Sequence, residues 1–547
     1  MFSSHSRARF VLLIAFLAGF PGLVPDARCQ WLPGFTNGGS ASTSTQTPTS
    51  VMPPTALPPN MPPDPAYIAP HAAVTVNAAN YVRTVDERMF GLNTAVWDSA
   101  LSSASTLSAL QQLQIRTLRF PGGSTSDTYD WKTNRSYAAG TRTLNNWAWA
   151  SSFDAFAAIA LKLKAQVFLT ANYGSGTAQQ AADWVKYANV TKRYGFKYWE
   201  IGNENYGSWE EDLHAKKWDP VTYATQVKDY LARMKKADPT IKVGVVVVTG
   251  EDAYADAGRT AVKNPRTKVA HRGWTPVMLA KLKSLGVTPD FAIYHRYEQN
   301  PKDAWNAGES DAALLQSAKT WGKDAADLRQ QLIDYLGATA AAKVELVVTE
   351  NNSVSYDPGK QTTNLVNGLF LADSLGRVLQ TEFNAFVWWD LHNGKDTTNN
   401  NSSALYGWRN YGDCGVLSPT DGRYPTFYVM KLLARFARGG DRVVKVSNAE
   451  AMLGAYAVRR ADGTLTLLLI NKSPTEARNA DVTVKYFTPK STAAVLRYGI
   501  AQDQAARTSS TSAASDLAAS TLTGIGSTFT VLCDPYSVML VTLSPAK

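Results

Sequence analysis

Two carboxylates stand at the ends of apolar, strand-like segments of this chain. Glu204 follows the aromatic run Tyr198–Ile201, and Glu350 follows the apolar run 344–349. In a parallel α/β barrel, the chemistry lies where buried strands open into loops at their carboxyl ends. Two carboxyl groups presented in this way can serve as the acid/base and the nucleophile of glycoside hydrolysis. The competing interpretation is that either glutamate is an ordinary residue of a surface loop.

The elements around these two residues alternate between apolar strands and helical patterns, which is typical of a parallel α/β fold. Asp219 and Pro220 show where one helix begins, with Asp as the cap and Pro in the first position. The predicted strands are 90–93, 117–123, 166–172, 198–204, 241–248, 291–296, 344–350 and 385–390. The predicted helices include 152–164, 178–194, 275–285, 325–336, 364–379 and 427–436. Eight strands with intervening helices predict a (β/α)8 TIM barrel over residues 72–438.

Beyond residue 439 the pattern changes to short strands separated by turn residues. They are predicted at 464–470, 480–484, 493–497, 527–531 and 537–543, and the Ala/Ser/Thr-rich segment 505–520 is predicted to be a loop. This spacing indicates an antiparallel β-sandwich over residues 439–547. Strand-like sequence within 72–84 is a candidate addition to it. The predicted fold class is therefore α/β, a TIM barrel with a C-terminal antiparallel β-sandwich.

The first 71 residues are not predicted to belong to either domain. Residues 1–28 have the pattern of a signal peptide, with Arg7 and Arg9 before an apolar stretch, 10–20, that is too short to span a bilayer. Residues 29–71 are rich in Ser, Thr and Pro, and are expected to form a disordered linker. We therefore expect a secreted or periplasmic protein with no membrane association after removal of the signal.

Composition narrows the classes of function. The net charge is +10 over 547 residues, but Lys and Arg are dispersed without a basic stripe, which argues against nucleic-acid binding. Fifteen tryptophans suit a protein that packs sugar rings on indole faces, although a large core also uses them. No His, Cys or Asp grouping has metal-ligand spacing, so no metal and no cofactor are predicted.

Cysteine usage is sparse. The three cysteines, Cys29, Cys414 and Cys533, do not make a disulfide framework. A Cys414–Cys533 bridge and two unpaired thiols both remain open. Oligomeric state does not follow from the sequence.

Four motifs in this order and spacing resemble the clan A retaining glycoside hydrolases. They are Gly202-Asn203-Glu204, Thr349-Glu350, Arg119-Phe120-Pro121-Gly122-Gly123 and Trp388-Trp389. Within the clan, the chain is most similar to the α-L-arabinofuranosidases of glycoside hydrolase family 51, which have a barrel and a β-sandwich. One position departs from them, because Asn351 follows Glu350 where those enzymes usually carry Trp. β-Xylosidases, β-glucuronidases and endo-glycanases of the clan therefore remain alternatives.

The resemblance implies roles for the residues of these motifs. Glu204 would be the acid/base and Glu350 the nucleophile. Asn203 would hydrogen-bond the sugar hydroxyl next to the reacting carbon, and its alternative is a cap on the following turn. Arg119 would keep Glu350 ionised, and its alternative is a structural pair with Glu200 inside the barrel. Glu200 is the reserve candidate for the acid/base.

Other polar and aromatic residues leave the predicted strands near the same mouth. Either His295 or Tyr297 could hydrogen-bond Glu350 or the sugar, and a core histidine is the alternative for His295. Trp388 and Trp389 alternate along a strand, so only one can face the mouth. The predicted substrate-binding residues are Asn203, Arg119, His295, Tyr297, Trp388, Trp389, Asn172 and Trp97.

The predicted function is that of a secreted retaining glycoside hydrolase acting on plant or microbial polysaccharide. It would remove α-L-arabinofuranosyl residues by a two-step double displacement with two glutamates. The predicted partner is this carbohydrate, as polysaccharide or oligosaccharide. An alternative of a different class is a non-catalytic carbohydrate-binding or cell-wall protein on a barrel scaffold.

Overall fold

The computed structural model describes residues 69–299 and 309–546. The predicted signal peptide, 1–28, and all but the end of the predicted linker, 29–71, lie outside the described residues. The strands, in chain order, are β1 (His71–Thr84), β2 (Gly91–Asn93), β3 (Thr117–Phe120), β4 (Tyr129–Asp130), β5 (Arg135–Ser136), β6 (Gln166–Ala171), β7 (Tyr198–Ile201), β8 (Lys242–Val246), β9 (Val262–Lys263), β10 (Ala270–His271), β11 (Phe291–Gln299), β12 (Glu345–Val354), β13 (Val387–Trp388), β14 (Arg442–Asn448), β15 (Leu453–Arg459), β16 (Leu465–Asn471), β17 (Arg478–Lys485), β18 (Pro489–Gly499), β19 (Ala518–Thr523), β20 (Thr528–Cys533) and β21 (Ser537–Pro545).

The α-helices lie mostly between the barrel strands. They are α1 (Ala104–Gln112), α2 (Phe153–Leu163), α3 (Ala178–Val185), α4 (Pro220–Ala237), α5 (Trp274–Ser284), α6 (Asp311–Ser317), α7 (Trp321–Leu336), α8 (Ala338–Ala341), α9 (Leu365–Val378), α10 (Pro425–Phe436) and α11 (Ile500–Ala505). Local sequence sets where several of them begin. The Ser152 side chain caps α2, and Asp219 caps α4 with Pro220 in the first turn. Within the described residues, no helix is long and apolar enough to cross a bilayer.

Eight parallel strands form the barrel. Their hydrogen-bonded order is β2-β3-β6-β7-β8-β11-β12, and β13 pairs with β2. A parallel bridge between Val348 and Phe386 joins β12 to the segment before β13 and completes the ring. Apolar residues of all eight strands are buried, so the ring is a packed core whose strand ends share one mouth. Each predicted barrel strand overlaps an observed one, and the predicted barrel-plus-sandwich fold is confirmed.

The second domain is a nine-stranded sheet in the order β19-β18-β21-β16-β15-β14-β1-β17-β20. Its pairs are antiparallel except for β1 and β17, so the N-terminal strand enters the sheet between two C-terminal ones. One apolar cluster fills its interior, with Val74, Leu467, Val482 and Val541 among its members. The sequence patterns missed β14 and β15, and β19 begins inside the predicted loop 505–520.

The sheet packs directly on the barrel helices. Side chains from both domains belong to one continuous apolar cluster, in which Tyr456 of β15 packs close to Gly376 of α9. Asp373 of α9 also accepts hydrogen bonds from Tyr456 and from Lys472, and the Lys472–Asp373 pair is almost fully buried. A second buried pair joins Arg409 to Asp503 at 2.7 Å. The two domains therefore pack together through a buried interface that contains apolar side chains and ion pairs.

The open question of the cysteines is answered for the two that the structure describes. Cys414 and Cys533 are both buried, and no disulfide bond joins them.

Candidate active site

Glu204 and Glu350 face each other at the mouth of the barrel. Glu204 lies just beyond the carboxyl end of β7, and Glu350 lies within β12. One carboxylate oxygen of each, together with a ring nitrogen of His295, lies within 4.8 Å of the others. Retaining glycosidases place their two carboxyl groups about 5–5.5 Å apart, whereas inverting enzymes need about 6.5–9.5 Å. The spacing therefore fits direct attack by one carboxylate.

The backbone that presents Glu204 is strained. Glu204 has φ of 39°, in the left-handed region that non-glycine residues rarely adopt. Gly202, two residues earlier, has φ of 70°, and a Cβ there would lie 2.0 Å from Oδ1 of Asn205. A tight turn thus lifts the Glu204 side chain out of the strand, and such strain is concentrated at functional sites in proteins.

Arg119, on β3, connects the groups predicted to act together. Its Nη1 donates to Glu350 Oε1 at 2.6 Å, its Nε to Glu200 Oε2 at 2.7 Å, and its Nη2 to Asn203 Oδ1 at 2.8 Å. The side chain is 1% exposed. Burial alone would lower the pKa of Arg119, but the charges of Glu200 and Glu350 raise it above its usual value. Arg119 therefore contacts both of its predicted partners, Glu350 and Glu200, and its guanidinium is a permanent cation beside Glu350.

Glu350 receives a second hydrogen bond on its other oxygen. The Tyr297 hydroxyl donates to Oε2 at 2.6 Å. Burial, followed by the charges of Glu350 and Glu204, holds the pKa of Tyr297 well above its usual value, so the phenol remains a donor. With Arg119 on Oε1, both oxygens of Glu350 are held.

Glu204 is held by a histidine and an indole. Nδ1 of His295 lies 2.9 Å from Oε1 of Glu204, and Nε1 of Trp209 donates to Oε2 at 2.9 Å. His295 also contacts Thr349 Oγ1 at 3.1 Å through Nε2. Burial alone would raise the pKa of Glu204, but the hydrogen bond and charge of His295, with bonds from Trp209 and Tyr206, hold it below the usual value. These contacts therefore favour the ionised form of Glu204.

Of the tryptophans predicted to bind substrate, Trp389 and Trp97 lie together, whereas Trp388 lies elsewhere. Trp389 and Trp97 form an edge-to-face pair 6.2 Å apart, and a Cβ at Gly123 would lie 2.8 Å from the Trp389 ring. Within the described residues, both indole N–H groups of this pair are buried and have no hydrogen-bond partner. Trp388 instead is fully buried and packs on Phe370 of α9. Its predicted role in substrate binding is wrong, because strand alternation turns it away from the mouth.

Asn172 also does not serve as predicted. Its Oδ1 accepts from the backbone N–H groups of Ser175 and Gly176, and its Nδ2 donates to the Tyr129 carbonyl. The amide is therefore used to brace the loop after β6 rather than to bind substrate. Asn351, the residue that departs from the arabinofuranosidase pattern, is buried and donates to the Val387 carbonyl at 2.9 Å. That side chain joins β12 to β13.

Sequence reasoning missed several residues of the site. Asn93, at the end of β2, accepts from Arg119 Nη1 at 3.1 Å through Oδ1, and Trp209 and Glu210 come from the loop after Glu204. Asn93 had a usable signal, because it ends a predicted barrel strand. Trp209 and Glu210 lie in a loop without periodicity, where nothing local indicates the direction of a side chain.

Glu204, His295 and Glu350 also form the one grouping, among the described residues, whose donor atoms are close enough to hold a metal ion. Sequence spacing did not reveal it, because the three residues come from three strands. The same atoms are already joined by hydrogen bonds to protein groups. The prediction that the protein uses no metal remains a prediction.

Comparison with known proteins gives partial matches in sequence and an extensive match in fold. No protein-family model matches the chain. A probable α-L-arabinofuranosidase C from Aspergillus niger is 27% identical over 170 residues, which cover 27% of this chain and 32% of the relative. The match thus spans about a third of that relative's length.

Solved structures cover far more of the chain. The family 51 α-L-arabinofuranosidase from Thermotoga petrophila superposes with a TM-score of 0.64 at 18% identity, covering 86% of this chain and 100% of that structure. A family 44 xyloglucanase from Paenibacillus polymyxa has a TM-score of 0.63 at 14% identity, covering 87% and 100%. At these identities the likeness shows the fold alone. The resemblance predicted from the strand-end motifs is nevertheless confirmed: the chain is similar in sequence to α-L-arabinofuranosidases and shares the fold of a family 51 enzyme.

Proposed function

We propose that this protein is a retaining glycoside hydrolase that removes α-L-arabinofuranosyl residues from polysaccharide or oligosaccharide. The observation that carries the proposal is the approach of Glu204 and Glu350 within 4.8 Å at the barrel mouth. That separation leaves no room for a water between the sugar and Glu350, so the carboxylate itself attacks.

In the first step, Glu204 donates its proton to the glycosidic oxygen while Glu350 attacks the anomeric carbon. The bond to the leaving group breaks, and an ester forms between the sugar and Glu350. Arg119 and Tyr297 hold the two oxygens of Glu350, so the nucleophile is aimed before the substrate arrives.

In the second step, the Glu204 carboxylate takes a proton from water, and the water oxygen attacks the anomeric carbon. Glu350 leaves as a carboxylate, and two inversions give net retention of configuration. The first step needs a protonated Glu204, and the hydrogen bond and charge of His295 lower the pKa of this group against the opposing effect of burial. We therefore expect activity in acidic solution.

The choice of sugar rests on the relatives. The sequence match is to an α-L-arabinofuranosidase, and the fold match includes one from family 51. The fold match to a xyloglucanase, with nearly the same TM-score, favours an endo-glycanase as the second candidate. Asn351, where the arabinofuranosidases usually carry Trp, is used to join two strands and leaves the β-xylosidase and β-glucuronidase alternatives open.

A panel of 4-nitrophenyl glycosides and polymers tests the proposal. The α-L-arabinofuranoside should be hydrolysed in preference to the β-D-xyloside, the β-D-glucuronide and xyloglucan, and Glu350→Ala is the matched inactive control. Cleavage of xyloglucan alone would support the second candidate. Complete silence would favour a non-catalytic carbohydrate-binding protein.

The expected export of the protein also remains a proposal. It rests on the pattern of residues 1–28, and recovery of the protein from the medium or periplasm of its source would support it. Retention in the cytoplasm would contradict it.

A further inference from the structure

Two more buried carboxylates lie beside Asn203, behind the proposed catalytic pair. Asp127 is 0% exposed and Glu210 is 2% exposed, and neither belongs to the acid/base or nucleophile. Asp127 ends the 3-10 turn after β3, and Glu210 lies in the loop between Glu204 and α4. Burying a carboxyl group costs free energy unless the group is hydrogen-bonded or paired with an opposite charge. The hydrogen-bond partners of Asp127 and Glu210 therefore indicate what these two residues position.

Arg119 and Glu210 together hold the Asn203 amide in one orientation. Asn203 Oδ1 accepts from Arg119 Nη2 at 2.8 Å, and because Arg only donates, the oxygen must point to it. Asn203 Nδ2 donates to Glu210 Oε1 at 2.9 Å. One of the two N–H bonds of Nδ2 is thus used by Glu210, and the other remains for a ligand.

Glu210 is itself fixed in place. Its Oε1 also accepts from the Ser124 hydroxyl at 2.7 Å, while its Oε2 is buried with no hydrogen-bond partner among the described residues. Burial, followed by the charges of Asp127 and Glu204, holds the pKa of Glu210 well above its usual value. Burial and the neighbouring charges therefore favour the protonated form of Glu210, while its Oε1 accepts two hydrogen bonds.

Asp127 holds the backbone of the same turn. Its Oδ2 accepts from the Asn203 N–H at 3.1 Å and from Asn205 Nδ2 at 2.8 Å. Its Oδ1 accepts from the N–H groups of Tyr173 and Gly174, at 3.0 and 2.9 Å. The loops after two neighbouring barrel strands are therefore held together by one carboxylate, and Asn203 is held through both its backbone and its side chain.

We propose that Glu210 is a positioning residue, which fixes the Asn203 amide so that its remaining N–H faces the sugar hydroxyl next to the reacting carbon. The inference rests on the proposed function. It adds a residue that touches no substrate but decides the orientation of one that does. The hydrogen bond from Asn203 strengthens as charge develops at the anomeric carbon, so correct orientation contributes mainly to the transition state.

Two substitutions at Glu210 separate orientation from bulk. Glu210→Gln presents an amide oxygen to Asn203 and an N–H₂ in place of the protonated oxygen, so it should retain most of the activity. Glu210→Leu fills similar space but accepts no hydrogen bond, and kcat on an α-L-arabinofuranoside should fall about 10- to 100-fold with little change in KM. Equal losses in both variants, or a loss confined to KM, would overturn the proposal.

A double variant tests whether Glu210 acts through Asn203. Glu210→Leu should cost little more once Asn203→Ala is present, because residues that act as one unit are not additive. Fully additive losses would mean that Glu210 does not act through Asn203, and would overturn the proposal. Thermal unfolding of each variant gives the parallel measure of stability.

Crystal structures of the wild type and Glu210→Leu give a readout independent of activity. In Glu210→Leu the Asn203 side chain should leave its present orientation, whereas an unchanged Asn203 would overturn the inference. A wild type that hydrolyses no glycoside would refute the proposed function, and this comparison would still decide whether Glu210 orients Asn203.

Discussion

Replacement of His295 by Phe should move the basic limb of the pH–activity profile to higher pH. His295 Nδ1 lies 2.9 Å from Glu204 and is the first cause that lowers the pKa of this group, against the opposing effect of burial. A hydrogen bond to a charged group contributes about 1.5–3 kcal/mol, and one pH unit corresponds to about 1.36 kcal/mol. Loss of this bond should therefore raise the limb by about one to two pH units.

The sign follows from the role of Glu204. The proposed acid must carry its proton, so activity is lost as pH rises through its pKa. His295 favours the charged carboxylate, and its removal leaves burial to favour the protonated form. The basic limb of His295→Phe must therefore move to higher pH. A poor leaving group is needed in the assay, because a good one departs without a proton.

The measurement is kcat/KM for an arabino-oligosaccharide across the pH range, for wild type and His295→Phe. Tyr297→Phe is the matched control, because the Tyr297 hydroxyl donates to Glu350 rather than to Glu204. Its basic limb should stay in place. If the limb of His295→Phe is unmoved or falls, then Glu204 is not the group that this limb reports, and Glu200 becomes the first candidate for the acid.

Three further outcomes are expected. Glu350→Ala should lose nearly all activity, and azide should restore part of it as a glycosyl azide of inverted configuration; a first product of opposite anomeric configuration in the wild type, seen by proton NMR, would indicate an inverting enzyme. Arg409→Met should lower the free energy of unfolding, measured with denaturant, by about 3–5 kcal/mol, because the Asp503 carboxylate is left buried without its partner. A change below about 1 kcal/mol would show that the pair contributes little. Dialysis against EDTA should leave activity unchanged, and a loss restored by a divalent cation would show that Glu204, His295 and Glu350 hold a metal.

Local patterns were sufficient for the barrel. Apolar segments of strand length, separated by helices with recognisable caps such as Ser152 and Asp219, identified all eight barrel strands in order. Carboxyl ends of parallel strands meet at one mouth, so Glu204 and Glu350 could be placed together from strand counting alone. Patterns were weaker in the sheet domain, where β14 and β15 went undetected, although the candidate strand within 72–84 does join the sheet as β1.

The direction in which a side chain points from a strand or loop depends on packing in three dimensions. Trp388 and Trp389 are neighbours of the same type, and alternation alone does not say which of them faces Phe370. Asn172 ends a barrel strand as Asn93 does, yet one braces a loop and the other accepts from Arg119. Such choices depend on contacts that come from distant parts of the chain.

The fold class and the meeting of the strand-end residues at one mouth could be predicted from the sequence, because local periodicity identifies the strands and parallel strands share one mouth. Which charged and polar groups contact one another could be read only from the three-dimensional arrangement. Arg119 donates to Glu200 and Glu350 at once, and Glu210 accepts a hydrogen bond from Asn203. Electrostatic effects depend on distance and burial in three dimensions, and neither is encoded in the spacing of residues along the chain.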